Sequence, residues 1–133
     1  MEGGDVKIQD AALLFGLGLA IWIAGTLYYA AHGAAILETT SARYWRSFWL
    51  SPVVSAAICI AVLKWRAVPP SAWAQAMLLL AIPGMIGEAV VLSHLGTFMP
   101  RLQQVSGGKY GAFLFATYAV VLGVAEIVTL RAA

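Results

Sequence analysis

One acidic residue, Glu88, lies inside an apolar stretch that is otherwise suited to the interior of a membrane. The stretch runs from Ala72 to Pro100, and a helix ending at Leu95 would rise about 36 Å, more than a hydrocarbon core of about 30 Å. Glu88 would lie about 7 Å beyond the helix midpoint. An ionised carboxylate at this depth is costly unless it is protonated, paired or hydrated. Glu88 is therefore either a neutral, hydrogen-bonded packing residue or a site that responds to protons or cations.

A proline and two glycines near Glu88 weaken the helical structure of the backbone there. Pro83 leaves the carbonyl of Leu79 without its helical donor, and its ring favours a kink. Gly84 and Gly87 follow and leave the backbone bare on the faces next to Glu88. Membrane helices tolerate such residues where neighbouring helices or water satisfy the freed groups. We therefore predict a kinked third helix that packs closely on its neighbours around the acid.

Four other side chains are candidates for binding or coupling: Tyr28, His32, His94 and Glu126. Tyr28 and His32 are four residues apart and share one helix face. His32 is either an interfacial histidine bonded to a carbonyl or water, or a ligand or proton carrier beside Glu88. Glu126 lies nearer the surface, where a carboxylate can reach water.

Metal and haem binding are not predicted. His94 and Glu88 are six residues apart, which places them about 120° from a shared helix face. The sequence also has no Cys/His metal motif, no glycine-rich phosphate loop, and no nucleophile with a histidine and an acid at helical spacing. We predict no cofactor, no metal and no catalytic residue.

The composition excludes an ordinary soluble domain. Of the 133 residues, 62% are hydrophobic and 11% are charged, so a water-soluble fold of this size could not bury its apolar surface. The net charge of +2 is small and dispersed, which argues against nucleic-acid binding. Cys59 is the single cysteine, so an internal disulfide is excluded.

Four long apolar runs, separated by charges, prolines and glycines, predict an all-α membrane protein. It would be a single four-helix transmembrane domain over residues 1–133, with no β-sheet and with the lipid bilayer as its surroundings. Ser41 and Ser71 are the expected N-caps of the second and third helices, and Gly107-Gly108 is the expected flexible part of the last connection. The predicted helices are Ile8–Leu37, Ala42–Trp65, Ala72–Leu95 and Tyr110–Leu130.

Small residues recur on the first and last helices in a way that favours close helix packing. On this basis we predict a homo-oligomer, and a dimer first. The positions concerned are Gly16, Ala20 and Ala24 in the first helix, and Ala112, Ala116, Ala119 and Gly123 in the last.

The basic residues do not fix the orientation in the membrane. With four spans, Lys7, Lys64, Arg66 and Arg131 would lie on one side, and Arg43, Arg46, Arg101 and Lys109 on the other. A tie of this kind is what a dual-topology protein shows. The size and the intramembrane acid resemble the small multidrug-resistance transporters. Those proteins carry their glutamate in the first span. In this chain the first span, residues 11–37, contains no glutamate, so their site is not assigned to it.

A second resemblance covers residues 82–123. The segments IPGMIGEAVVLSHLGTFMP and GKYGAFLFATYAVVLG combine Pro-Gly-Met, an acid a few residues later, a proline after the span and a Gly-Ala-aromatic entry to the last span. They resemble a bacterial family of small four-span integral membrane proteins of unknown function. The resemblance implies a multi-pass protein of the bacterial inner membrane, and it implies no activity.

Three functional hypotheses follow. The first is a homo-oligomeric transporter or channel-like protein for a small molecule or ion, with Glu88 as its proton- or cation-responsive site. The second is a non-catalytic accessory or scaffold subunit of a larger membrane complex. The third, least favoured because nucleophile and cofactor motifs are missing, is an intramembrane lipid-modifying enzyme that uses Glu88 with His94 or His32 as acid and base.

Overall fold

The computed structural model describes residues 8–133 as a bundle of four long helices and one short one. Two short 3₁₀ turns, Pro70–Ala72 and Gln104–Ser106, precede α3 and α5, and this range contains no β-strand. The all-α prediction is confirmed. Lys7, one of the basic residues counted above for the two membrane sides, lies outside the described residues. The helices are α1 (Ile8–Leu37), α2 (Ser41–Trp65), α3 (Trp73–Ser93), α4 (Leu95–Phe98) and α5 (Gly107–Ala132).

The four long helices are long and apolar enough to cross a membrane by length and composition. Their outer faces carry large apolar side chains, with Trp49, Ile86 and Phe115 at 69%, 61% and 77% exposure. Such a surface is unfavourable in water and suits a hydrocarbon solvent. The architecture is therefore that of a multi-pass four-helix membrane bundle.

Two predicted N-caps are wrong. The cap of α2 is Thr40, whose extended backbone lets its Oγ1 accept a hydrogen bond from the Arg43 amide at 3.3 Å. Ser71 lies inside the 3₁₀ turn, and α3 has no side-chain cap from its own N-cap residue, Ala72. A one-residue shift in the start of each helix moved the cap away from the expected serine.

The start of α3 is instead capped by a side chain from the last helix. The Thr129 hydroxyl accepts a hydrogen bond from the Ala74 amide at 2.9 Å and donates one to the Pro70 carbonyl at 3.1 Å. The first bond satisfies one of the amides left free where a helix begins, and the second joins the Thr129 hydroxyl to the 3₁₀ turn. The contact ties the ends of α3 and α5 together.

The prediction of a flexible Gly107-Gly108 is also wrong, because both glycines lie in the first turn of α5. The segment before them is anchored by Glu38, at the end of α1. Its carboxylate accepts hydrogen bonds from the backbone N–H of Gln103 at 2.8 Å and from the Ser106 hydroxyl. A negative charge at this helix start is also favourable to the dipole of α5.

The packing of the bundle is uneven. α1 lies against α3 and α5 lies against both α2 and α3, whereas α1 and α2 make few direct contacts. α1 and α3 approach each other closely at Gly18, where a Cβ would overlap the carbonyl of Leu80. Two buried apolar clusters, one toward each end, hold the helices together. One includes Leu14, Leu63, Met77 and Val121, and the other includes Leu37, Val91, Tyr110 and Phe113.

Replacing Thr129 by Val should lower the free energy of unfolding by about 1 kcal/mol, because the isosteric side chain leaves the Ala74 amide without its acceptor. Thr129→Ser keeps the hydroxyl and should remain close to wild type. Thermal unfolding in mild detergent measures both variants. A loss in Thr129→Ser, with Thr129→Val unchanged, would show that the methyl group, and not the hydrogen bonds, stabilises this contact.

Candidate functional site

Glu88 lies on the inward face of α3 and is 8% exposed. Its Oε1 accepts a hydrogen bond of 3.0 Å from the indole Nε1 of Trp22 on α1. Its Oε2 is buried and has no hydrogen-bond partner among residues 8–133. Native proteins satisfy most buried polar atoms, so this oxygen needs either a small shift of a neighbouring hydroxyl or a partner from outside the described chain.

The glycines next to Glu88 make room for two aromatic side chains. A Cβ at Gly87 would overlap the six-membered ring of Trp22, and a Cβ at Gly84 would overlap the hydroxyl of Tyr118 on α5. Neighbouring helices therefore cover both bare backbone positions. α3 continues without interruption through Pro83, which is buried, and the kink stays a prediction.

The Glu88 side chain lines a cavity of about 130 Å³ between the four long helices. The lining is mostly apolar, with hydroxyl groups supplied by α1, α2 and α5. The Tyr29 and Ser51 hydroxyls lie 3.3 Å apart, and the buried Thr26 hydroxyl has no partner in the described part of the chain. The hydroxyl-bearing residues of the lining are Thr26, Tyr29, Ser51, Ser55, Thr117 and Tyr118.

The titratable groups around Glu88 are other weak acids. Tyr29 comes from α1, Cys59 from α2, and Tyr110 and Tyr118 from α5. The Tyr110 hydroxyl is close enough to interact with Glu88, but it is buried without a hydrogen bond of acceptable geometry within residues 8–133. No Lys, Arg or His of the described chain lines the cavity. A negative charge on Glu88 must therefore be balanced by a proton or a cation from elsewhere.

A groove of about 640 Å³ between α1 and α2 borders this cavity and lies toward the outside of the bundle. Gly25, Tyr29, Ser51 and Ser55 line both spaces. Because α1 and α2 make few direct contacts, the groove lies at the outer surface of the bundle. The outer wall of the groove includes Leu50, Val54 and Ile58, which are all exposed.

The structure places Tyr28 in the groove beside the Glu88 cavity, and the other predicted residues lie elsewhere. Tyr28 lines the groove, and the exposed His32 packs against its ring at 4.9 Å between centroids. His94 is exposed at the end of α3, with Nδ1 3.2 Å from the Val90 carbonyl. Glu126 is exposed and lines a shallow surface depression. Over residues 8–133, no three His, Cys, Asp or Glu side chains are grouped to hold a metal ion.

Several residues of the site were not identified from the sequence, and two signals pointed to them. Trp22 lies at the middle of α1, far from the membrane interfaces where tryptophan is usually enriched. Ser47, Ser51 and Ser55 recur every fourth residue along α2, which places three hydroxyls on one face. Both patterns indicate polar groups that face the interior of the bundle.

Replacing Gly87 by Ala should destabilise the protein by about 1–3 kcal/mol, because the added methyl group displaces the Trp22 ring from its position beside Glu88. Gly16→Ala is the matched control, since no atom of the described chain lies within 4 Å of a Cβ added there. Thermal unfolding and tryptophan emission measure the effect. If both variants match wild type, the close packing of Trp22 on α3 is wrong.

Comparison with known families gives a match for most of the chain. A family model described as "Family of unknown function (DUF5367)" matches residues 36–132. The match contains α2 to α5, including Glu88, and it contains the segment 82–123 that carried the resemblance. No curated protein and no solved structure matched the chain.

Proposed function

The chain belongs to the DUF5367 family of unknown function, and we propose that it is a small transporter or channel-like protein in which Glu88 responds to protons or cations. One observation carries this proposal. The Glu88 carboxyl group is buried among apolar helices, one of its oxygens has no partner among residues 8–133, and its cavity borders an outer groove with which it shares lining residues. We place the protein in a cell membrane as a multi-pass protein, and in the inner membrane of a bacterium.

The half-satisfied carboxyl group favours a functional role over a structural one. A structural acid in a membrane bundle is expected to bond through both oxygens, because each unsatisfied polar group in a low-dielectric interior is costly. Trp22 bonds only Oε1. The Tyr110 hydroxyl lies close to Glu88 but makes no hydrogen bond of acceptable geometry. Oε2 is thus able to accept a proton or a cation.

Assembly into a homo-oligomer, with a dimer as the first expectation, is part of the same proposal. Four helices enclose little volume, so a pathway forms more readily with a second copy. Gly16, Ala20 and Ala24 are exposed on the outside of α1. A Cβ added at Gly16 or Gly123 meets no atom of the described chain within 4 Å. Both surfaces are therefore open to close packing by another helix.

These same outward small-residue faces support the alternative, an accessory or scaffold subunit. They would then pack on a larger membrane partner, and Glu88 would serve only the internal packing. The two hypotheses differ in two measurable properties of the purified protein, self-association and a Glu88-dependent proton response.

Glu88→Gln should keep the fold and reduce proton flux at least tenfold, because glutamine preserves the shape and cannot release a proton. The flux is measured in proteoliposomes with an internal pH-sensitive dye under an imposed potassium diffusion potential. Glu126→Gln is the matched control and should conduct like wild type, since Glu126 is exposed on the other side of α5 from the cavity. Identical pH profiles of flux and stability for wild type and Glu88→Gln, over about pH 5 to 9, would remove the basis of the proposal.

Replacing Ala20 or Gly123 by Leu should weaken association, because a bulky side chain on a small-residue face prevents close helix approach. Native mass spectrometry in mild detergent gives the dimer fraction at matched protein concentrations. Ala57→Leu on the exposed face of α2 controls for added bulk. Wild-type protein that is monomeric at every concentration would contradict the assembly.

A further inference from the structure

We propose that the Glu88 site binds an amphipathic organic monocation, which enters from the lipid phase through the groove between α1 and α2. This inference rests on the proposed function and names the substrate class of the same site. The cationic head would lie in the 130 Å³ cavity beside Glu88, and the apolar part would remain in the 640 Å³ groove.

The sign of the ligand charge follows from the residues that surround the space. Glu88 is the only Asp or Glu of residues 8–133 that lines the cavity or the groove, and neither lining includes a described Lys, Arg or His. The nearby tyrosines and Cys59 carry no positive charge in any protonation state. A cation therefore finds a negative partner here, and an anion finds none.

The lining favours an organic cation over a metal ion. The rings of Trp22, Tyr29, Phe113 and Tyr118 line the cavity, and aromatic faces attract alkylated ammonium groups. A hard ion such as Ca²⁺ or Mg²⁺ needs about six or more oxygen ligands. The cavity offers one free carboxylate oxygen and scattered hydroxyls within a mostly apolar wall.

The position of the opening determines the route. Leu50, Val54 and Ile58 line the groove and are exposed on the outer surface of α2, so the mouth faces hydrocarbon. Where the groove meets the cavity, the Tyr29 and Ser51 hydroxyls lie 3.3 Å apart. A ligand that arrives this way must be apolar enough to dissolve in lipid, with its charge confined to one end.

Charge balance couples this ligand to protons. A monocation beside an ionised Glu88 forms a neutral pair, whereas a protonated Glu88 must lose its proton before the pair can form. Proton and cation therefore compete for one carboxyl group, and the apparent affinity for the cation should fall as the pH is lowered.

Cys59, the single cysteine of the chain, lines the cavity and provides the reporter. In nanodiscs, mass spectrometry follows its reaction with the small neutral reagent methyl methanethiosulfonate. Octyltrimethylammonium should slow this labelling at least tenfold, octyl sulfate should not, and the protection should weaken at low pH. Glu88→Gln should lose the protection, measured for each variant and each pH as the ratio of the labelling rates with and without octyltrimethylammonium.

The route is tested by a matched pair of substitutions on α2. Val54 lines the groove, whereas its neighbour Val53 is exposed outside it. Val54→Phe should narrow the mouth and reduce the protection by octyltrimethylammonium at least tenfold, and Val53→Phe should behave like wild type. Equal behaviour of the two variants, or a Cys59 that the neutral reagent never reaches, would overturn the lateral route.

The proposed function and this inference fail differently. Equal protection by octyl sulfate and octyltrimethylammonium would overturn the ligand class, and Glu88-dependent proton flux in the same preparation would leave the proposed function standing. A flux unchanged in Glu88→Gln would overturn the proposed function itself.

Discussion

The arrangement of the bundle depends on the hydrogen bond between Trp22 and Glu88. A carboxyl group at this depth needs a donor, and the indole reaches it only because α1 and α3 lie very close together. Gly18 allows the approach at the Leu80 carbonyl, and Gly87 leaves room for the indole ring itself. A larger residue at either position would displace a helix or the Trp22 ring. The hydrogen bond to Glu88 therefore requires glycine at both positions.

This close pairing of α1 with α3 explains why the bundle is open on one side. α5 packs against α2 and α3, and α1 is held to α3, so the seam between α1 and α2 has few contacts to close it. The groove forms at that seam, and it meets the cavity at Tyr29 and Ser51. The burial of Glu88 between α1 and α3 and the groove between α1 and α2 thus both follow from the same uneven packing.

The sequence predicted the number, type and approximate bounds of the long helices because the length of an apolar run must match the thickness of a bilayer. It also identified Glu88 and the glycines beside it. It could not predict which helix faces meet, because Gly16 and Gly18 look alike in sequence and only Gly18 is in contact with α3. For the same reason the tertiary cap by Thr129 was missed, since its partners lie more than fifty residues away.

The residues around Glu88 come from both the matched and the unmatched part of the chain. Glu88, the α2 serines and the α5 tyrosines lie inside residues 36–132, whereas Trp22, Thr26 and Tyr29 of α1 lie outside the matched range. The matched part holds the acid and one wall of the groove. α1 contributes the donor to Glu88 and the opposite wall, so its packing decides how strongly the carboxyl group is held and how far the seam opens. The Trp22 donor therefore lies in the part of the chain outside the family match, and the acid lies within it.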